Sequence, residues 1–484
     1  MIAVYIILAL LVLLVIVLAI NTVRKKPSKT SAETPQPLNL DKDKLAENLS
    51  GMIKYKTITS SAMEGFDKDA FLGMHAYIEK TYPLLNKTLK KEVVNTYSLL
   101  YKWTGSGSDK NPFLMMAHMD VVPVDARTAD KWTHEAFSGA IADGYVWGRG
   151  AIDMKGQLAA VLESVEYLIG QGYEPKRDIY IAIGHDEESM GTLGAQKIVD
   201  RLTEMGIHLD FVIDEGGVVM DGKLMNIDAM VAAVGICEKG YADIRLIAES
   251  AGGHASRPPK QTAVGALAKA IVALEKHHMK PTMNKPLKDM LDAVGGYMKL
   301  PLNVIASNLF LTKPLLLKGL GAGSTGAAMV RTTAAPTMLQ GSGAPNTLAE
   351  RAEAVVNFRI SPDDTVDGLL THIKKTVGKD IKLEVIQAYE PSDVSSTDSE
   401  AYRIIKETIR EEFPEYVVSP YLMVGATDSR RYAGVADGIY RFQPFRSMAD
   451  DVDKIHAANE RLHIDSLREG VEFFVRLVKK ADEW

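Results

Sequence analysis

The sequence predicts an α/β protein whose mostly parallel sheet is flanked by helices and interrupted by a smaller α+β domain. Over 41–236, apolar runs typical of buried strands alternate with helical periodicity, which is the pattern of βαβ units. Over 237–388 the strand-like segments alternate polar and apolar residues instead, and the α/β pattern returns over 389–484. We therefore predict a main domain in two parts, 41–236 and 389–484, with an inserted lid domain at 237–388.

The N-terminus predicts a membrane segment ahead of these domains. Residues 2–20, "IAVYIILALLVLLVIVLAI", carry no charge and are long enough to cross a bilayer. No basic residue precedes them and a basic cluster follows at 24–26, so we expect a single-pass transmembrane anchor over 1–23 and a proline-rich linker over 24–40. A cleaved signal peptide, with secretion of the body, is the alternative. The basic flank favours a cytoplasmic body but leaves the side of the membrane open.

Composition narrows the class of protein. The chain has 484 residues, enough for two or three domains, with 46% hydrophobic and 24% charged residues. Its net charge of -6 gives no basic footprint for nucleic acid, so no nucleic-acid partner is expected. Cys237 is the single cysteine of the sequence, which excludes an intrachain disulfide.

Individual segments support the main domain. Its buried strands are predicted in "FLMMAHMD", "DIYIAIGHDEE" and "LDFVIDEGG". A helix is predicted after Gly156, where apolar residues recur at spacings of three and four. The returning α/β part contains helices near 398–412 and 464–481 around the strand "GIYRFQPF".

The lid is predicted from three half-exposed strands, "ADIRLIAES", "RAEAVVNFRI" and "IKLEVIQA", and from helices at 261–278 and 365–377. Its middle, 286–340, is apolar and glycine-rich. Pro301, Lys313 and Pro314 interrupt this stretch, which argues against a second membrane span.

Histidine and carboxylate residues recur where main-domain strands end. The stretches are "HMD" (His118, Asp120), "GRGAIDMKG" (Asp153), "GHDEESMG" (Asp186, Glu187, Glu188), "DEGG" (Asp214, Glu215) and "KIHAANERL" (His456). Taken singly, each stretch is equally typical of a turn, a solvated loop or a hydrogen-bonded structural histidine. Together, at the sheet edge where α/β proteins bind ligands, they would gather more negative charge than is stable without a cation. Two histidines with at least three carboxylates suit zinc, or manganese or cobalt.

The motifs "MAHMDVVPVD", "GRGAIDMKG", "GHDEESMGT", "DEGG", "GGHASRPP" and "IHAANE" resemble one family over about 45–480. It is the zinc metallopeptidase family that includes aminoacylase, carboxypeptidase S and the ArgE and DapE deacylases. The stretches "GHDEES" and "IDEGG" and the long lid insertion most resemble its carboxypeptidase S and N-acyl-amino-acid hydrolase branch.

The resemblance implies two zinc ions per subunit in the main, catalytic domain. His118 and Glu215 would bind one ion, Glu188 and His456 the other, and Asp153 would bridge them. Asp214, adjacent to Glu215, is the alternative ligand.

The resemblance also assigns residues to the reaction. Asp120 would orient His118, and Glu187 would be the general base. His254 in the lid would stabilise the oxyanion; in dimeric relatives this histidine comes from the partner's lid, so a homodimer through the lid is expected. Candidates for contacting substrate are Asn346, Arg359 and Arg430. For the two arginines, a structural salt bridge is the competing interpretation.

The implied function is a membrane-anchored amidohydrolase that cleaves a C-terminal peptide bond or an N-acyl amino acid. A dipeptidase or a deacylase of small metabolites is the alternative among enzymes, and an inactive binding member of the family is the alternative of another class. The apolar lid insert favours a hydrophobic acyl group or side chain.

Overall fold

The computed structural model describes residues 1–25, 36–59, 66–446 and 454–484. The helices are α1 (Ile2–Arg24), α2 (Lys42–Ile53), α3 (Lys68–Thr81), α4 (Pro83–Thr88), α5 (Lys155–Gly170), α6 (Ala195–Glu204), α7 (Ala263–Lys276), α8 (Lys285–Val294), α9 (Leu302–Ser307), α10 (Leu309–Leu320), α11 (Ser324–Val330), α12 (Val366–Val377), α13 (Glu400–Glu412) and α14 (Ile464–Glu483). The strands are β1 (Lys90–Val94), β2 (Ser98–Trp103), β3 (Phe113–His118), β4 (Ile141–Ala142), β5 (Tyr145–Trp147), β6 (Ile179–Gly184), β7 (Phe211–Asp214), β8 (Val219–Asp221), β9 (Met230–Glu238), β10 (Gly240–Glu249), β11 (Gly253–His254), β12 (Thr333–Gln340), β13 (Thr347–Leu348), β14 (Arg351–Ile360), β15 (Ile381–Tyr389), β16 (Tyr416–Met423), β17 (Ile439–Arg441) and β18 (Arg461–His463). Most of the predicted linker at 24–40 lies outside the described residues.

The large sheet has the strand order β1-β2-β6-β3-β7-β17-β9-β16, with β8 paired to β9. Its centre, β6-β3-β7-β17, is parallel, as is the pair β9-β16. The pairs β1-β2, β2-β6, β17-β9 and β8-β9 are antiparallel, so the expectation of a mostly parallel sheet is corrected to a mixed one. Only residues 95–97 join β1 to β2, and parallel strands would need a crossover of a dozen residues or more.

The central strand β3 explains why the sequence there is continuously apolar. Phe113 and Met115 pack in one core cluster with residues of α2, α5 and α14, whereas Leu114 and Met116 pack on the opposite face with α6. Because side chains alternate between the two faces and helices cover both, every residue of β3 is buried.

The predicted lid contains an antiparallel four-stranded sheet in the order β12-β14-β10-β15. Helices α7 and α12 cover one face, and β14 alternates buried and half-exposed residues along its length. The helix α8 contacts the large sheet: Leu287 and Leu291 pack with Val231 of β9 and Val417 of β16, in an apolar cluster that also includes residues of α9–α11. The middle of the insert therefore lies against the edge of the large sheet.

The N-terminal helix α1 differs from all of these elements. It is the one helix among the described residues that is long and apolar enough to cross a membrane, and none of its residues is buried. Its C-terminal turns contact the short helix α9 of the insert.

Lys239, between β9 and β10, generates a prediction about the stability of the junction between the two sheets. This buried ammonium donates hydrogen bonds to the carbonyl oxygens of Ala328 (3.0 Å) and Arg331 (2.8 Å). Burial, with a further contribution from Arg359, lowers the pKa of Lys239 to about 7. Between about pH 7 and about pH 10 the unfolded chain therefore binds more protons at this site than the folded chain, so stability should rise with pH in that window. The thermal midpoint of the Lys239→Met variant in detergent should rise less steeply with pH there.

Lys197→Met is the control, because the Lys197 side chain is 47% exposed. Its pH profile should parallel that of the unmodified protein, and a parallel profile for Lys239→Met would contradict the prediction.

Candidate metal centre

The parallel centre of the large sheet brings the predicted motifs to one edge. Because β6, β3 and β7 are adjacent and parallel, their carboxyl ends meet there. These ends carry His118, the turn 186–188, and the pair Asp214 and Glu215. Asp153 joins them from the loop before α5, and His456 from the segment before β18.

Asp153 lies between the two histidines. Its Oδ1 is 3.2 Å from His118 Nε2, and its Oδ2 is 3.1 Å from His456 Nε2. Glu215 Oε1 is 3.2 Å from His118 Nε2, and Glu188 Oε1 is 3.2 Å from His456 Nε2. The carboxylate of Asp214 instead accepts a hydrogen bond from the Ser429 backbone amide at 3.1 Å.

Asp120 contacts two parts of the cluster. His118 Nδ1 is 3.0 Å from the Asp120 carbonyl oxygen and 3.4 Å from its Oδ1, which leaves Nε2 facing the carboxylates. The Asp120 carboxylate also accepts hydrogen bonds from the backbone amides of Glu187 (3.2 Å) and Glu188 (3.1 Å). One buried side chain thus fixes both the imidazole and the turn with the two glutamates.

Burial dominates the electrostatics of the cluster. It raises the pKa values of Glu187 and Glu215 well above the ordinary range, and nearby carboxylates add to this effect. Burial also raises the pKa of Glu188. Burial lowers the pKa of His118, but Glu215, Asp120 and Asp153 outweigh this and hold it well above its ordinary value. The carboxylates therefore stabilise positive charge at this edge.

The donor set fits a metal ion. Two groups offer ligand atoms that lie within 4.8 Å of one another: His118, Asp153 and Glu188; and His118, Glu187 and Glu215. Imidazole with carboxylates is the set found in catalytic zinc sites, and calcium sites use oxygen ligands.

Two acidic residues that were not predicted lie at the site, and one of them fixes its backbone. Glu460 is buried beside Arg149 (2.6 Å) and accepts hydrogen bonds from the backbone amides of Ile152 (3.0 Å) and Asp153 (3.1 Å). Asp428 is buried near the cluster, and burial, with Asp186 and Asp214, raises its pKa well above the usual range. Both acids were visible in the motifs "IHAANERL" and "GATDSRRY", but their contacts depend on the tertiary fold.

A cavity of about 640 Å³ connects this edge to the lid. Its lining includes Glu187 and Glu188 from the large-sheet side and Arg359 from the lid, with Arg430 beside them. The Arg359 guanidinium lies 4.9 Å from the centre of the Tyr241 ring, and that of Arg430 lies 3.5 Å from the Tyr389 ring. Neither arginine pairs with a carboxylate within the described part of the chain, and Arg430 Nη1 is buried there without a hydrogen-bond partner.

His254 and Asn346 lie together but outside the cluster. His254 belongs to β11, which pairs with β13, and Asn346 directly precedes β13; the Ala255 amide donates to the Asn346 carbonyl oxygen at 3.0 Å. His254 is exposed, and its Nδ1 accepts from the Ser256 amide at 3.1 Å. No hydrogen bond or ion pair joins His254 to the metal-ligating groups in the described ranges.

The family model for Peptidase family M20/M25/M40 matches residues 114–480, a range that contains every residue of the cluster. The chain belongs to this family. Family M20 metallopeptidases depend on metal, so the cluster is the candidate catalytic metal site, and the chain is a metallopeptidase-family enzyme.

Curated relatives extend over nearly the whole chain. A probable carboxypeptidase S-like 2 of Dictyostelium discoideum is 36% identical, covering 98% of this chain and 93% of that protein. The N-fatty-acyl-amino acid synthase/hydrolase PM20D1 of Xenopus tropicalis is also 36% identical, covering 97% and 92%. An M20 family metallo-carboxypeptidase from Sulfolobus solfataricus shares the fold, with a TM-score of 0.67 at 20% identity, over 91% of this chain and 99% of that one.

Metal binding should stabilise the folded protein. A cation at about 100 times its Kd should raise the free energy of unfolding by about 2.7 kcal/mol, because the unfolded chain lacks the assembled site. Thermal unfolding of chelator-treated protein in detergent, with and without added zinc, measures this effect. His118→Ala should abolish most of the shift, whereas the control His208→Ala, which alters a histidine paired with Asp437, should retain it. An unmodified protein that does not respond to zinc would contradict the assignment of the site.

Proposed function

We propose that the chain is a two-zinc amidohydrolase that releases an amino acid with a free carboxylate from an acyl or peptidyl group. The observation that carries the proposal is the shared cavity: one volume is lined by Glu187 and Glu188 and also by Arg359 and Arg430. A substrate could therefore place its amide at the cluster while its carboxylate contacts the guanidinium groups. The names of the relatives, a carboxypeptidase and an N-fatty-acyl-amino acid hydrolase, are consistent with such a leaving group.

The ligands divide between two ions. His118 and Glu215 would hold one, and Glu188 and His456 the other. The support is that the two oxygens of Asp153 face different histidines at 3.2 and 3.1 Å, as a bridging carboxylate would. Glu215 is preferred to Asp214, whose carboxylate accepts from Ser429. When bound, the ions would supply Lewis-acid activation of the carbonyl and of water; cobalt or manganese could replace zinc.

Glu187 would act as the general base. Its side chain lines the cavity and its backbone amide donates to Asp120, an arrangement that would put the carboxylate between substrate and cluster. It would accept a proton from the attacking water and deliver it to the leaving nitrogen. Burial raises the pKa of Glu187, which strengthens it as a proton acceptor. Asp120 is a positioning residue, because it acts through His118 and the backbone at 187–188.

Arg359 and Arg430 would bind the carboxylate of the leaving amino acid. A planar guanidinium pairs with a carboxylate through two hydrogen bonds, and the tyrosine rings beside both arginines hold them in place. The competing interpretation, a structural salt bridge, receives no support from the described contacts of either side chain.

The β11-β13 strand pair of the lid would serve a second subunit. His254 and Asn346 lie beside each other at this exposed pair, and among the described residues no hydrogen bond or ion pair joins them to the cluster of their own chain. The outer strand β12 of the lid sheet exposes Met338 and Leu339, which suits pairing between two lids. In a homodimer, His254 would then stabilise the oxyanion in the partner's cavity.

The helix α1 would be an uncleaved membrane anchor. The lid residue Asn308 donates from Nδ2 to the Leu18 carbonyl oxygen (3.3 Å), and Asn21 donates from Nδ2 to Asn308 Oδ1 (3.0 Å). Signal cleavage after Ala19 would remove part of this docked surface. The contacts therefore favour the anchor over a secreted body.

The Glu187→Gln variant should retain metal but lose turnover. Glutamine keeps the size of the side chain and cannot accept the proton, so kcat should fall by about 10²- to 10⁴-fold. Zinc content, measured on the same preparation, separates a base from a ligand: unchanged metal with lost activity supports the base. Full activity, or loss of a zinc ion together with activity, would contradict the role of Glu187.

The Arg430→Met variant tests recognition of the carboxylate. Losing a charge-assisted pair of about 1.5 to 3 kcal/mol should lower kcat/KM for an N-fatty-acyl amino acid by about 10- to 150-fold. The matched carboxamide substrate should be a poor substrate and should change little. Arg127→Met, at a side chain that is 88% exposed, is the control. Equal losses on both substrates would contradict the assignment, and preference for an unblocked dipeptide would favour a dipeptidase.

A further inference from the structure

The middle of the insert exposes an apolar surface that packs against neither the large sheet nor the lid sheet. From Ala293 to Ala349 the sequence has no aspartate or glutamate, and its charged residues are Lys299, Lys313, Lys318 and Arg331. Within this stretch, large apolar side chains point outward: Leu300 is 76% exposed, Phe310 68% and Leu315 61%. Phe310 and Leu315 belong to α10, whose buried face packs through Leu317 into the core cluster of the insert.

The start of α10 is fixed to the end of α1. Asn308, the residue before α10, is buried and hydrogen-bonds Asn21 (3.0 Å), the Leu18 carbonyl oxygen (3.3 Å) and Thr22 Oγ1 (3.4 Å). Lys25, just beyond α1, pairs with Asp292 at 2.7 Å. The two helices are thus held together by polar contacts at one level along α1.

The length of α1 indicates how deep in the membrane these contacts would lie. Its 23 residues span about 34 Å at about 1.5 Å per residue, close to the thickness of about 30 Å of a hydrocarbon core. The uncharged residues 2–20 fill the core, so Asn21 and Lys25 lie in the headgroup region. Asn308 must lie at the same depth, because it is hydrogen-bonded to Asn21. The helix that begins at Leu309 therefore starts at the membrane surface.

We propose that α10, together with Leu300, lies on the lipid bilayer as an interfacial helix. Phe310, Leu311 and Leu315 would enter the boundary between headgroups and acyl chains, and Lys313 and Lys318 would contact anionic headgroups. The inference rests on the proposed role of α1 as an anchor. A bilayer explains the surface better than a second copy of the chain, because the face is continuous with α1 and the stretch from Ala293 to Ala349 carries basic residues and no acidic ones.

Site-specific quenching in full-length protein tests the proposal. Single cysteines at Phe310 and Leu315 are labelled with bimane, which is practical because the native Cys237 is buried. The protein is reconstituted into phosphatidylcholine vesicles with about 30% phosphatidylglycerol, with or without lipid carrying a doxyl quencher near the headgroup. Both labels should lose at least about half of their emission, as expected for shallow insertion. The control label at Leu72 of α3, a side chain that is 48% exposed in the main domain, should be unaffected.

Further labels distinguish failure of the interfacial helix from failure of the membrane anchor and from self-association of the chain. A label at Val12, measured with lipid whose doxyl group lies deep in the acyl chain, reports the anchor alone: quenching at Val12 without shallow quenching at Phe310 and Leu315 overturns the interfacial helix and leaves the anchor intact. Absence of quenching at Val12 overturns the anchor. Pyrene at Leu315 reports a second copy of the chain, and excimer emission that persists on dilution into excess lipid would overturn the proposal.

The double variant Lys313→Glu and Lys318→Glu should weaken quenching at Leu315 by about twofold or more in anionic vesicles, whereas Lys197→Glu should leave it unchanged.

Discussion

The fold depends on how the end of the large sheet holds its negative charge. Asp153 and Glu188 form one group with His118, Glu187 and Glu215 form another, and within each group ligand atoms lie within 4.8 Å of one another. Glu215 is buried, and the other three acids are half-buried. Two unit charges about 4 Å apart interact by about 4 kcal/mol at an effective dielectric of 20, so the carboxylates cannot all ionise unless positive charge lies among them. These acids follow the ends of parallel strands or lie in loops, and hydrogen bonds from the backbone amides of Asp153, Glu187 and Glu188 to buried acids hold three of them in place. The contacts that keep the carboxylates close together also favour a cation among them.

Backbone hydrogen bonds to buried acids turn separate loops into one site. Asp120 holds the amides of Glu187 and Glu188, and Glu460 holds the amide of Asp153. Each acid comes from a segment distant in sequence from the residue that it positions. The arrangement explains why "HMD" places its histidine and aspartate two residues apart: both side chains point to the same side of the extended chain, while Met119 is buried in the core.

The features of the fold and the site that could be predicted are those that depend on short stretches of sequence. An apolar run that ends in polar residues gives a buried strand and its functional end, as at His118 and Glu215. The β1-β2 hairpin was missed because its short connection was interpreted within an α/β pattern. Glu460 and Asp428 were visible as residues but not as contacts, since Glu460 meets Asp153 across 307 positions. For His254 the chemistry could be inferred, whereas its position away from the cluster of its own chain depends on how the lid lies.

In the proposed reaction, substrate specificity would depend on the junction between the large sheet and the lid sheet. The chain passes from β9 to β10 through Glu238 and Lys239, both buried. Glu238 accepts from Arg441 and from the Thr427 amide, which fixes the loop that leads to Arg430, and Lys239 holds the carbonyl oxygen of Arg331 before β12. The distance from the cluster to the guanidinium groups is therefore set by buried polar contacts and not by the lid alone. In the proposed reaction, a substrate would be measured between its scissile amide and its carboxylate. The junction would then select the leaving group, and the shape of the cavity would select the acyl group.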